Sequence, residues 1–256
     1  VWHPAGDDDA LPGAQARCTS ERFVSVQDDT VRLWELAEGR LDDLGECTAR
    51  NTEEWMEMST MCACWDPHHE NEFAIGRGTK IETIDLRSME VVRRIDNAHN
   101  DMVHDIDYNP NKPYYLASGG DDRMAKFWDI RKVDTPVKVI TAGNHWVCNV
   151  KYNRFHDQLV LTTGTDSMVS LWRLSSISSA PLLELEEDEE SGNEDTNGGT
   201  SNETCDSLVK SYGEHADSVY GAAWSACDAW VFASLSYDGK IVVNHVASAE
   251  KYKILL

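Results

Sequence analysis

Basic residues are scarce in this chain, with 23 Lys and Arg against 45 Asp and Glu, for a formal net charge of −22. Nucleic acid and anionic membrane surfaces both require basic patches, so neither is expected as a direct partner. No apolar run approaches the roughly 20 residues of a membrane span, and the opening residues carry no secretory signal pattern. The seven cysteines (18, 47, 62, 64, 148, 205 and 227) fall into no metal-ligand spacing. Cys62 and Cys64 merely share one face of a strand. An odd, scattered set without a secretory signal suits a reducing, cytoplasmic setting. His68-His69 falls in a turn and is expected to face solvent rather than hold a metal. No G-x-S-x-G elbow surrounds any serine, so no catalytic residue, cofactor, metal or small-molecule substrate is expected.

What the chain does have is a repeat. From His99 to Arg131 it runs HNDMVHDIDYNPNKPYYLASGGDDRMAKFWDIR, which reads as one nearly complete four-stranded propeller blade. Gly119-Gly120-Asp121-Asp122 is strong turn chemistry between two strands. His99, Ser118, Asp122 and Trp128 carry the imidazole, hydroxyl, carboxylate and indole N–H that one buried structural network needs. His215, Ser234 and Asp238 form a second, partial set, with Asn244 where the tryptophan belongs. Trp34, Trp128 and Trp172 each stand six residues after an aspartate, at Asp28, Asp122 and Asp166. Asp122 and Asp166 are 44 residues apart, close to the usual period of about 40–45.

The repeat count is five, with blades at about 1–54, 55–97, 98–143, 144–182 and 207–256. The fold class is all-β, a WD40-type propeller whose five blades form an open arc of a seven-bladed ring. Val1-Trp2-His3-Pro4 matches the ends of later inner strands, Cys64-Trp65-Asp66-Pro67 and Asp107-Tyr108-Asn109-Pro110. We therefore expect the first blade to begin upstream. Gly78 and Ile84 replace the signature residues of the second blade. Inner packing there and in the fifth blade is expected to be apolar instead. Gly143 stands where the fourth blade should open with histidine, and His145 is displaced by two, so it receives no network role.

The acidic stretch 184–206 breaks the rhythm. It is polar and rich in Glu, Asp, Gly and Asn, and is expected to be a disordered loop inserted between blades four and five. Function should then reside on the faces of the disc, where turns cluster. Arg22, His104, Tyr114, Trp146, Tyr220 and Trp230 are the candidate contact residues. Trp128-Asp129-Ile130-Arg131 also resembles the W-D-x-R box by which some WD-repeat proteins dock on cullin–RING ubiquitin ligases, with Arg131 as the contact. The acidity further permits a histone-binding WD protein.

Several segments are not generic repeat sequence: NAHNDMVHDIDYNPNKPYYLASGGDD, YNRFHDQLVLT, HADSVYGAAW, WVFASLSYDGKIVVNHV and the terminal KYKILL. Over residues 55–256 the chain resembles the WD-repeat proteins that interact with the GARP and EARP vesicle-tethering complexes. The resemblance implies a non-enzymatic adaptor whose partners are subunits of those complexes. It also implies peripheral recruitment to the trans-Golgi network and endosomes. The processes served would be endosome-to-Golgi retrieval, endosomal recycling and dense-core vesicle cargo sorting. No short motif carries the binding site, so no interface residue is transferred.

Overall fold

The computed structural model describes residues 21–27, 30–48, 60–179 and 206–255. Within them the strands gather into five antiparallel sheets, each a meander in chain order. The first holds β1 (Glu21–Gln27), β2 (Thr30–Ala37) and β3 (Arg40–Thr48). The second holds β4 (Thr60–Trp65), β5 (Glu72–Arg77), β6 (Lys80–Asp85) and β7 (Glu90–Ile95). The third is built from β8 (Val103–Tyr108), β9 (Tyr115–Gly120), β10 (Met124–Asp129) and β11 (Lys138–Thr141). The fourth comprises β12 (Val147–Tyr152), β13 (Leu159–Gly164), β14 (Val169–Arg173) and β15 (Ser207–Tyr212). The fifth has β16 (Val219–Trp224), β17 (Val231–Ser236) and β18 (Ile241–His245), followed by helix α1 (Ser248–Leu255).

The period-2 geometry of a strand explains how these sheets stack into an arc. Leu116 and Trp128 turn toward the second sheet and pack with Ile81 and Ile95. Ala117 and Phe127, one residue along, turn the other way and pack with Val150 and Val160 of the fourth. Each middle sheet thus buries both faces, which is why β13 and the interior of β5, Phe73 to Gly76, read as unbroken apolar or small-residue runs. Phe73, Phe127, Leu161 and Phe232 are fully buried, each contributing about 1.5–3 kcal/mol. The first strands of successive sheets, β4, β8, β12 and β16, lie side by side along the inner edge.

The acidic stretch does not separate two blades. Strand β15 follows it and pairs with β14, Leu171 opposite Lys210, so the insertion lies inside the fourth sheet. Spacing alone shows that residues have been added; only hydrogen-bond pairing shows between which strands. Residues 180–205 fall outside the described residues. Asp206, at the end of the stretch, is held by Lys138 at 2.7 Å and by the Ser176 backbone N–H at 2.9 Å.

Candidate functional site

In the third sheet a directed chain of hydrogen bonds crosses from strand to turn. Trp128 Nε1–H donates to Ser118 Oγ at 2.9 Å, Ser118 lies 2.7 Å from His99 Nε2, and His99 Nδ1 lies 2.7 Å from Asp122. With the indole proton on its oxygen, Ser118 donates to Nε2, which fixes the Nδ1–H tautomer facing Asp122. Burial lowers the His99 pKa against the pull of Asp122, so the imidazole is neutral. Burial pushes the Asp122 carboxyl up, but hydrogen bonds from His99, the Asn100 N–H and Lys126 bring it well below the usual range. Gly120 leaves the space for the imidazole: a Cβ there would stand 2.7 Å from His99 Nδ1. Ser118 itself is fully buried.

The other sheets hold partial versions. His215 Nε2 lies 2.8 Å from Ser234, yet its Nδ1 is 3.5 Å from Asp238, and Asn244 turns to Glu214 instead. In the fourth sheet Trp172 donates to Thr162 at 2.9 Å. Asp166 there caps the Asn144 and Met168 N–H groups, and His145 bonds Thr165 rather than Thr162. Trp34 donates to Ser25 at 2.8 Å, while Asp28 lies outside the described residues. Ser25 and Thr162 were missed in the sequence, although Thr162 stands ten residues before its tryptophan, as Ser118 does.

The expectation of apolar packing in the second sheet holds where the network residues are missing: Ile75 and Ile84, at the serine and tryptophan registers, are fully buried in one cluster with Phe73. Glu82 is also buried, bonded to Arg94 at 2.8 Å with Arg77 at 4.0 Å. A lone charge could not be buried there; the arginines on the neighbouring strands make it tolerable.

Side chains on the inner strands bind sheet to sheet. Lys151 reaches Asp105 at 2.8 Å, Asp105 also accepts the Val150 N–H, and Asp107 accepts the Tyr152 N–H at 2.8 Å. Asn149 Oδ1 passes the pattern on by accepting the Ala222 N–H. Burial and the nearby Asp105 and Asp107 raise the Cys62 and Cys64 thiols, which stay protonated and poor as nucleophiles. At the strand ends, Asp66, Asn109, Asn153 and Ser225 each cap two following N–H groups. This is the physical content of the W-D-P and Y-N-P repeats.

The outer turns lie on two faces. On the first, His68 is exposed and His69 half-buried, as expected of a turn, and each also makes a contact across the sheets. His68 Nε2 bonds the Asn109 carbonyl at 3.0 Å, and His69 packs on Tyr114 with ring centroids 4.9 Å apart. Arg131 also lies over the Tyr114 ring, 4.9 Å from its centroid, and makes a bidentate pair with Asp129 at 2.8 and 2.7 Å. Arg87 and Asp85 repeat that clamp. The W-D-x-R arginine, Arg131, therefore has an internal partner, as does Arg87 of Ile84-Asp85-Leu86-Arg87 in the second blade. Asp66, His69 and Glu72 place donor atoms within 4.8 Å of one another. Each is already committed, Asp66 to His69 and Glu72 to Arg93 at 2.6 Å.

On the second face stand His104, Trp146 and Tyr220. Register shifts beside Val103, Val147 and Val219 mark a bulge in β8, β12 and β16, which places His104, Cys148 and Tyr220 at equivalent positions. Trp146 is 47% exposed and Tyr237 70%. The six candidate contact residues divide between the faces. Tyr114 and Trp230 belong to the first face and are packed, Trp230 against His156 at 4.7 Å. Arg22 lies 3.8 Å from Glu35.

A protein-family model described as EIPR1 beta-propeller matches residues 15–172, well over half of the chain. This chain belongs to the EIPR1 β-propeller family. A second family model, WD domain, G-beta repeat, matches residues 206–243. Among relatives of this family, the human EARP and GARP complex-interacting protein 1 is 40% identical over 260 residues, covering 100% of this chain and 64% of the relative. The EARP-interacting protein homolog of Gekko japonicus is 42% identical with the same coverage. The EARP-interacting protein 1 of Caenorhabditis elegans is 36% identical, covering 78% of this chain and 54% of the relative. The chain thus spans just under two thirds of the length of the curated family members it matches.

Proposed function

We propose that this chain is the propeller part of a non-enzymatic adaptor that binds the EARP and GARP complexes. The observation that carries the reading is the 40% identity to the human EARP and GARP complex-interacting protein 1 along the whole of this chain. The physical character of the molecule supports it. Stacked sheets held by inner-strand ion pairs and turn caps make a stiff scaffold, and stiff scaffolds bind through loops with little ordering cost. The histidine, serine and aspartate residues that could suggest hydrolysis are spent on one another inside the third sheet. Through such binding the protein would be recruited peripherally to the trans-Golgi network and endosomes. There it would support retrieval, recycling and dense-core cargo sorting.

Ligase docking through Arg131 has no structural observation in its favour, since that guanidinium is clamped on Asp129. The test is gentle capture of the tagged full-length protein from cells, with mass spectrometry of what co-purifies. Subunits of the tethering complexes in near-stoichiometric amount are expected. Their absence, with cullin-ligase components or histones in their place, would overturn the reading.

A further inference from the structure

The second face carries a band of two aromatic groups, spread over three sheets and linked to each other by hydrogen bonds. His104 faces Trp146 with centroids 6.4 Å apart, and Trp146 faces His145 at 5.0 Å. His145 bonds Thr165, whose carbonyl accepts from Ser218 Oγ. The Ser218 carbonyl takes the Tyr237 N–H, and Tyr237 packs on Tyr220 at 4.4 Å. Nothing in this band is part of the tetrad or of the sheet-to-sheet cores. Trp146, Tyr220 and Tyr237 are 47%, 41% and 70% exposed, a large amount of solvent-facing ring surface on one face.

The charge around the band has one dominant sign. Asp101 and Asp217 occupy the same position in two blades, two residues after His99 and His215, and both are exposed. Asp121 sits beside His104, and Glu214 is exposed beside the fifth blade's turn. Arg123 and Lys240 are the cations on the intervening turns, and Lys240 already faces Asp238. Rings with electron-rich faces, bordered by carboxylates, favour an arginine or lysine side chain and disfavour an acidic one.

We propose that this band, centred on Trp146, is the surface through which the chain takes a cationic, arginine- or lysine-bearing segment of its tether partner. The proposal rests on the adaptor reading above and names its binding chemistry. Trp146 supplies the ring for the cation, Tyr220 and Tyr237 the extended platform, and Asp101, Asp121 and Asp217 the compensating charge. The fixed bulges of β8 and β16 hold His104 and Tyr220 outward before any partner arrives.

The test uses the full-length protein with W146A, the double variant D101K/D217K, and R131A on the opposite face as control. Each is checked for an unchanged melting midpoint. Two probes are read: capture of tether subunits from cells, and binding of a fluorescent Arg/Ser-rich peptide against its Glu/Ser-rich counterpart. The expected result is binding of the Arg/Ser-rich peptide only, weakened about tenfold in W146A and in D101K/D217K, as for loss of one anchor residue. Tether capture should fall with it and stay intact in R131A. Undiminished capture by both face variants would overturn this surface while leaving the adaptor reading standing. No capture by the unaltered protein would overturn both.

Discussion

Lys151 of β12 lies 2.8 Å from Asp105 of β8, so a single ammonium bridges two neighbouring sheets at the inner edge of the arc. Burial raises the Asp105 pKa and pushes Asp107 up to about 6, with Lys151 pulling both back down. Burial also opposes the charge on Lys151, but the two carboxylates keep its ammonium protonated. Replacing Lys151 by Met should cost about 3 kcal/mol at pH 7.5, because the carboxylates are left buried without their counter-ion.

The sign of the pH dependence follows from the raised carboxyl. Asp107 stabilises the fold fully below the unfolded value of about 3.9, and that contribution is lost as pH rises through about 6. Without Lys151 both carboxyl pKa values climb further, so the deficit of K151M should shrink on acidification from pH 7.5 to 5. Urea titrations of both proteins at the two pH values check this. A deficit that grows in acid would contradict the assignment.

Asp122→Ala should cost roughly 1–3 kcal/mol, the penalty of leaving the His99 Nδ1–H buried and unpartnered. Asp122 has a lowered pKa, so its contribution is present above the unfolded carboxylate range. It fades as pH falls through the depressed folded value. Thermal melts at pH 7 measure the variant's deficit.

Gly120→Ala tests the same network from the steric side. The added methyl would stand 2.7 Å from His99 Nδ1 and 2.8 Å from the Met102 carbonyl. Displacing either should cost about 1–3 kcal/mol. Gly221→Ala, which meets only Leu235 at 3.9 Å, is the matched control and should be far milder.

Arg131→Ala should change stability by about 1 kcal/mol or less, because its pair with Asp129 is more than half exposed on the arginine side. Equilibrium denaturation measures this. Tether capture should be unaffected.

Strand β18 leaves one edge unpaired among the described residues, with Ile241 70% and Val243 60% exposed. Such an edge invites strand addition between molecules. For the 256-residue chain expressed by itself, I241K/V243K should reduce aggregation seen by light scattering, with the folded circular-dichroism spectrum unchanged.

By itself the sequence determined the architecture and the family. A repeat near 44 residues, with tryptophan six residues after aspartate and turn residues between apolar strands, admits few solutions besides a propeller. Family-specific segments such as WVFASLSYDGKIVVNHV narrow it further. Those signals are local in the chain, so no folding is needed to see them. Tertiary structure decided everything that depends on which strands meet. It put β15 in the fourth sheet, paired Glu82 with Arg94, and set Lys151 against Asp105, 46 residues away. It also parted Trp146 from Tyr114, placing one on an open face and packing the other against His69 and Arg131. A strand's period states that neighbouring side chains point opposite ways; it does not state what lies on either side. That is fixed only when one sheet stacks on the next and the bulges turn His104 and Tyr220 toward the same face.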